Sequence, residues 1–295
     1  MANLKEVRNR IKSVSSTQQI TKAMKMVSAA KLRRAQDAVL QMRPYAQKLS
    51  EIMANVSADS AIDLSANPYS EERVVEKVLI ICITSDRGLC GAFNGNVVKA
   101  VNALIREKYS SQMEKGHVQV LTMGKKGNDV FLKSKVGLLS DYSHIFQQLS
   151  FDEARKAAER AMSGFVHKEF DKVEIVYNEF KNVATQIVRT VQFLPIVKEE
   201  TTSVKASNVD YIYEPSKEQI VSELIPKSLK VRLFSALLES NASEHGARMT
   251  AMDKATENAG ELLKDLKLTY NRSRQAAITK EILEIVGGAE ALASA

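Results

Sequence analysis

LKEVRNRIKSVSSTQQITKAMKMVSAAKLRRAQDAVLQMRPYAQKLSEIMANVS, residues 4–57, contains a single proline, Pro44, and no glycine. Every seventh residue from position 7 reads Val7, Val14, Thr21, Ser28, Ala35, Met42, Leu49 and Val56. A second line runs beside it: Leu4 and Ile11 early, then Met24, Ala38, Tyr45 and Ile52. A heptad sustained this long is the pattern of a coiled-coil helix. The second line moves from three residues before the sevens to three after. The spacing therefore predicts a seam that drifts around the helix, as weak supercoiling gives. At 1.5 Å per residue such a helix reaches roughly 80 Å, far beyond the radius of a compact domain. Pro44 either kinks it or is absorbed by local adjustment.

The matching element stands at the other end of the chain. After Pro226, a favourable first-turn residue, no proline occurs through Ala295. A seam is followed through Phe234, Leu238, Met252, Ala255, Ala259, Leu262 and Leu266, then Ile278, Ile282, Ile285, Ala289 and Leu292. Gly246 and Gly260 interrupt it, at about 1 kcal/mol each relative to alanine. Two helices this long bury their seams only on each other or on a partner, and an antiparallel pair is the simplest solution.

Between them the period changes. Val74 to Thr84 (VVEKVLIICIT) is a near-continuous apolar run, the mark of a buried strand. The loop Ser85 to Gly91 leads into a helix from about Phe93 to Lys108. Val118 to Met123 reads as a second strand, followed by Gly124–Gly127 and a helix to about Lys133. Phe151 to His167 reads as a helix with Asp152 and Glu153 at its favourable end. Lys172 to Phe180 and Gln186 to Leu194 alternate as a strand pair around a turn at 181–185. Lys198 to Pro215 is polar and irregular, with a short strand expected at Asp210 to Tyr213. The expected fold is α+β overall: a long antiparallel coiled coil of the N- and C-terminal helices with an inserted α/β, Rossmann-like domain. The divisions fall at 1–60, 72–215 and 226–295.

Composition narrows the function. Aromatics make up 6%, tryptophan is absent and Met numbers 10, which suits helix-on-helix packing. Cys82 and Cys90 are too few for a disulfide framework or a four-ligand metal site. No stretch reaches the roughly 18 to 20 apolar residues of a membrane span. Residues 1–43 hold ten Lys or Arg against Glu6 and Asp37, a balance of +8 that leaves −1 for the rest of the chain. The basic segment calls for an acidic partner: nucleic acid, anionic lipid or an acidic protein surface. Met1 to Lys25 also has the composition of a transit peptide. Its apolar pattern runs unbroken into the following residues, so it is read as mature helix of a bacterial chain.

Covalent chemistry finds little footing. Ser85-Asp86-Arg87-Gly88-Leu89-Cys90-Gly91 is a glycine-rich turn opening a helix, the place where phosphates bind. The spacing of Gly88, Gly91 and Gly95 matches neither the dinucleotide fingerprint nor the Walker pattern. A tight turn or a partner-contact loop at Asp86, Arg87 and Gly88 is the better reading. His117, His144, His167 and His245 are scattered without metal spacing, and no Ser or Cys sits in a nucleophile elbow. No catalytic residue, metal or cofactor is expected. Gln18, Thr21, Lys25 and Ser28 sit mid-seam in the first helix, a poor core for one partner helix alone. Ala276 to Leu292 is apolar over a wide arc, with Ile278, Ile282, Leu283, Ile285 and Val286 forming a tip that an apolar sleeve would hold. Before it lies a polar collar, Tyr270 to Gln275, whose arginines suit partner carboxylates.

These segments resemble a known family, the gamma subunit of F-type ATP synthases. The likeness lies in Thr17 to Val27 (TQQITKAMKMV), Ala30 to Gln36 (AKLRRAQ) and Ser85 to Asn94 (SDRGLCGAFN). It continues in Ala247 to Met252 (ARMTAM), Leu268 to Ala276 (LTYNRSRQA) and Ile278 to Ala289 (ITKEILEIVGGA). The resemblance covers essentially the whole chain with the motifs in family order. It implies the central rotor shaft of a proton-translocating F-type ATP synthase, not catalytic alone, coupling c-ring rotation to the conformational cycle of the catalytic beta subunits. The implied partners are the alpha, beta and epsilon subunits and the c-ring, with delta as a further candidate. Nucleic acid is not among them, and membrane contact comes only through the complex, on the cytoplasmic side of the bacterial inner membrane. By the family pattern Arg274 and Gln275 meet a beta-subunit loop, Met24 and Lys25 face the acidic lever of beta, and Arg248 supports that region. Photosynthetic relatives carry an inserted segment with a redox-active cysteine pair; nothing like it stands here, so thiol switching is not expected. Two rivals remain open: a basic coiled-coil protein that binds nucleic acid or tethers proteins, and a nucleotide-using α/β enzyme with helical extensions.

Overall fold

Helix α1 covers Leu4–Ala58 and helix α6 covers Lys217–Ala293, with Pro44 and Pro226 inside them. The computed structural model describes residues 4–58, 67–183, 185–196 and 217–293. The expected short strand at Asp210 to Tyr213 lies outside these residues. The start of α6 corrects the expected one. Residues 217–225 (KEQIVSELI) are mostly good helix formers, and Ile225 is buried in the core. Packing therefore carries the helix across a proline that would otherwise break it.

The chain divides into two compact units, Met1–Ser28 with Met249–Ala295, and Ala29–Arg248. This division cuts both long helices, whereas the sequence reading places its borders near their ends. In the larger unit the reason is plain: α6 contributes Ile225, Leu229, Leu233, Ala236 and Leu237 to the same core as the sheet.

That unit's other elements are β1 (Val78–Ile83), α2 (Phe93–Lys108), α3 (Ser110–Glu114), β2 (Val118–Met123), α4 (Lys125–Phe131), β3 (Gly137–Leu139), α5 (Phe151–Val166), β4 (Lys172–Phe180) and β5 (Gln186–Leu194). They make one five-stranded sheet in the order β3-β2-β1-β4-β5, parallel except for β5 against β4. All six residues of β1 are buried. Strand alternation sends Leu79, Ile81 and Ile83 to one face, against α5 and α6, and Val78, Ile80 and Cys82 to the other, against Val97, Val101 and Ile105 of α2. Burial on both faces explains the unbroken apolar run in the sequence. Each such side chain contributes about 1.5–3 kcal/mol. The strand begins at Val78 instead of Val74, because the amides of Glu76 and Lys77 donate to the Asp171 carboxylate at 3.1 and 2.8 Å. Neither α3 nor the three-residue β3 is anticipated by the sequence reading.

In the smaller unit the two helices run antiparallel. Arg8 meets Tyr270, Gln18 meets Thr256, and Lys25 meets Asp253. Leu4, Val7, Ile11, Val14, Gln18, Thr21, Lys25 and Ser28 are all buried or half-buried, at alternating spacings of three and four. In the larger unit Leu32, Ala35, Val39, Met42, Ala46 and Leu49 continue the same rhythm. The line of sevens is as read as far as Leu49. Of the expected later members of the second line, Met24, Ala38 and Ile52 are half-buried too, Ala38 and Ile52 packing against core clusters, and Tyr45 is exposed. The second line itself runs on through Gln18, Lys25, Leu32, Val39 and Ala46. Polar Gln18 and Lys25 occupy it, which hides its continuity from a search for apolar residues. On α6 the buried line is Met252, Thr256, Ala259, Leu263, Leu266, Tyr270, Ser273 and Ala277, while the expected Leu262 is exposed. Again the polar members mask the register.

Candidate partner-binding surfaces

The Ser85–Gly91 loop is held from two sides. From the β2–α4 turn, the Gly127 amide donates to Thr84 Oγ1 at 2.8 Å and the Lys125 amide to Asp86 Oδ1 at 3.2 Å. Gly124 adopts φ 108°, and a Cβ there would lie 2.2 Å from the Thr84 carbonyl oxygen. Only glycine permits that approach, so the close packing of the two turns accounts for this glycine without any phosphate. Within the loop Ser85 Oγ donates to the Arg87 carbonyl at 2.7 Å, and the Ser85 amide to Asn94 Oδ1 at 2.9 Å.

The second hold is Arg248 of α6. It is 8% exposed and donates to the carbonyl oxygens of Gly88 and Arg87, while pairing with Glu244 one turn back at 2.5 Å. Burial pushes the Glu244 carboxyl up from its ordinary value, with Arg248 pulling the other way. Beside them His245 falls to about 4, chiefly by burial and then by the charges of Lys31 and Arg248. Burial also raises the Cys90 thiol, and it pushes Cys82 to about 12. The result is a rigid loop presenting Leu89, 68% exposed with φ 64°, and the exposed Arg87. A non-glycine residue at positive φ is strained and persists only where its surroundings hold it. Sequence reasoning missed Leu89 and the buried Glu244, although the Glu244–Arg248 spacing of four was there to be seen.

In the smaller unit Met24 and Lys25 are half-buried, and Lys25 pairs with Asp253 at 2.5 Å. Lys25 lines a groove of about 510 Å³ with Gln18, Gln19, Lys22, Met26, Asp253 and Thr256. Both members of the pair are substantially exposed, so the bond is worth about 0–1 kcal/mol and exchanges readily. Arg248 is engaged with the Arg87–Gly88 loop. Arg274 and Gln275 are exposed. Arg8 donates to the Tyr270 hydroxyl at 2.7 Å near the start of α1, and past Ala277 every residue of α6 through Glu290 is exposed. Ile278, Ile282, Leu283, Ile285 and Val286 are 48–72% exposed there. A lone helix carrying such an arc is stable only when something covers it.

Among the described residues no group of three or more His, Cys, Asp or Glu is placed to hold a metal ion, and no helix is long and apolar enough to cross a membrane. The family model described as ATP synthase matches residues 3–292. The ATP synthase gamma chain of Cytophaga hutchinsonii is 64% identical over 294 residues, covering 99% of each chain. That of Flavobacterium psychrophilum is 56% identical over 292 residues at the same coverage. The chain belongs to the ATP synthase gamma family. Its function is that of a gamma chain in an ATP synthase, and the nucleic-acid-binding alternative finds no support among these relatives. Solved structures agree on the fold. A chain in the Euglena gracilis mitochondrial ATP synthase, in an OSCP/F1/c-ring structure, aligns over 98% of this chain and 94% of its own, with TM-score 0.67 at 23% identity. A chain from the central stalk and c-ring of the Tetrahymena thermophila mitochondrial ATP synthase aligns over 80% and 99%, with TM-score 0.57 at 26% identity. As a gamma-family member the chain is a subunit, and the exposed tip, collar and loop are its candidate contact surfaces.

Proposed function

We propose that this gamma chain is the central rotor shaft of a proton-translocating F-type ATP synthase and does no covalent chemistry itself. Residues 1–60 and 226–295 serve as the shaft and 72–215 as the foot. The shaft turns inside alternating alpha and beta subunits, while the foot, with epsilon, rides on the c-ring. Ion flow turns the ring, and the shaft carries the catalytic beta subunits through their conformational cycle. The whole works peripherally, on the cytoplasmic side of a bacterial inner membrane.

The observation that carries this reading is the uncovered end of α6, whose apolar arc at Ile278 to Val286 is open to solvent in the isolated chain. Apolar contact is non-directional, so it suits a shaft that meets equivalent partners in succession, where deep specific ion pairs would favour one angle. Arg274 and Gln275 stand at the collar as contacts for a beta-subunit loop, and Met24 with Lys25 faces the acidic beta lever. Arg248 supports that contact region and also positions the Asp86–Arg87–Gly88 loop. The exchangeable Lys25–Asp253 pair fits the same logic.

Reconstitution tests the reading. Purified chain mixed with its organism's alpha and beta subunits is expected to form a stable complex with ATPase activity, weakened when Arg274 and Gln275 are both changed to alanine. A chain that stays apart from alpha and beta, or a complex indifferent to that double change, argues against the shaft or against the collar respectively.

A further inference from the structure

Four consecutive seam positions of α1, Gln18, Thr21, Lys25 and Ser28, are polar, flanked in the same unit by Val7, Ile11 and Val14. Their hydroxyls bond within their own helix, as Thr17, Thr269 and Thr279 also do. Thr21 Oγ1 donates to the carbonyl of Gln18 at 3.0 Å, and Ser28 Oγ to that of Met24 at 2.7 Å. Thr256 Oγ1 has two acceptors, Thr21 Oγ1 across the seam at 2.8 Å and the Met252 carbonyl of its own helix at 2.7 Å. A hydroxyl carries one proton, so Thr256 serves one acceptor at a time. When it turns to Met252, every hydroxyl in the layer is satisfied within its own helix.

The remaining links across the seam are weak. Gln18 Nε2 reaches the Thr256 carbonyl at 3.4 Å, and the Lys25–Asp253 pair is largely exposed. Opposite Gln18 stands Gly260, with no side chain to pack; a Cβ there would come within 3.0 Å of the amide nitrogen. An apolar layer resists opening because it exposes apolar area, and an ordinary buried polar layer resists because it strands donors. Here opening exposes Met252 and Ala259 of α6 and part of Met24, less apolar area than the layers of Val7, Ile11 and Val14 against Leu263 and Leu266, and it strands no hydroxyl.

We propose that residues 18–28 with 252–260 form a separable layer, at which the two helices part and re-form while the apolar layers on the tip side stay closed. The inference rests on the chemistry of the layer and stands or falls separately from the rotor reading. It accounts for a mid-seam stretch that is polar, with hydroxyls at Thr21 and Ser28, instead of fully apolar. The layer gives the pair a place to absorb twist by brief local opening, the low-stability behaviour expected where few apolar contacts hold a backbone.

The test uses the full chain. Spin labels at Gln19→Cys and Glu257→Cys, both exposed positions, are expected to give a broad or two-component distance distribution. Labels at Lys12→Cys and Lys267→Cys, toward the tip, give a narrow one. The buried thiols Cys82 and Cys90 stay unlabelled. Changing Thr21→Val with Thr256→Val then narrows the first distribution and slows amide hydrogen exchange in 18–28 and 252–260 by about tenfold. A single narrow distribution in the unaltered layer overturns the proposal. So does a tip-side pair that is as broad as the layer, since that is fraying from the end. Exchange that is unchanged by the double substitution overturns it as well, and the spin-label comparison stands even if that variant folds poorly.

Discussion

Replacing Arg248 with methionine keeps the apolar stem and removes every donor that fastens the Arg87–Gly88 loop to α6. The substitution strands two carbonyl oxygens and, more seriously, leaves the Glu244 carboxylate inside the protein without its counter-charge. Both side chains of the pair are 10% exposed. Removing one partner of a buried ion pair costs about 3–5 kcal/mol, and the lower end applies here because the carboxyl can take up a proton. The pH dependence follows from the direction of the shift. Burial already raises Glu244 against the pull of Arg248, so losing Arg248 raises it further. A carboxyl whose folded pKa exceeds its unfolded value of about 4.3 binds its proton more tightly when folded. The penalty is therefore absent below that value and grows as the pH climbs to the folded pKa. R248M is expected to trail the parent near pH 4.5 only by the freed carbonyls, about 1 kcal/mol, and to fall about 3 kcal/mol behind it at pH 8. For a unit of this size that is roughly 6–12 °C in Tm. Urea unfolding followed by far-UV circular dichroism reads it, since the chain has no tryptophan to report by fluorescence. Adding Glu244→Gln removes the stranded charge and is expected to recover at least half of the loss. A loss below about 1 kcal/mol at pH 8, or one that neither varies with pH nor responds to the second substitution, refutes the reasoning.

Three further outcomes are expected. Gly124→Ala drives a methyl group into the Thr84 carbonyl at a φ that side chains rarely adopt, so it is expected to destabilise by at least about 2 kcal/mol in the same unfolding assay; a neutral effect would show that the two turns separate easily. His245, lowered to about 4 mainly by burial, binds its proton less tightly when folded than when unfolded. Its contribution is intact above pH 6.5 and fades between there and pH 4, so His245→Asn is expected to flatten that part of the stability profile by up to about 2 kcal/mol. An unaltered profile contradicts the placement of the ring. Cys82 and Cys90 are both buried with raised pKa values, and neither is expected to react with iodoacetamide at pH 8 until the chain is unfolded. Rapid modification of the native protein would show the sheet domain to be far more open.

Much of this was legible in the sequence because the controlling signals are periodic. The line of sevens from Val7 to Leu49 needs only the heptad rule, and the apolar run of β1 announces burial on both faces. The helix at Phe93–Lys108 and the β4–β5 pair are bounded by turns and alternation that fix their ends to the residue. The register of the seam was not legible, since Gln18, Thr256 and Ser273 occupy positions where the eye looks for leucine. The start of α6 was hidden by a proline whose cost is offset by packing of Ile225 and Leu229, which sequence alone does not display. At the candidate sites, the wide apolar arc of the tip could be read from composition, and it stands exposed. The hold of Arg248 on the loop could not, because its partners there are carbonyl oxygens some 160 positions away. Carbonyls are present in every residue and leave no mark in a sequence. Leu89 was missed for a related reason: its interest lies in a backbone angle.

Rotation of the shaft can be watched directly. The chain, labelled with a gold nanorod through a cysteine introduced at the exposed Lys133 of the sheet domain, is assembled with its organism's alpha and beta subunits fixed to glass and supplied with ATP. The rod is expected to turn persistently in one direction in discrete steps, stopping when ATP is withdrawn. A complex that hydrolyses ATP while the rod stays fixed, or merely fluctuates about one angle, contradicts the rotor reading.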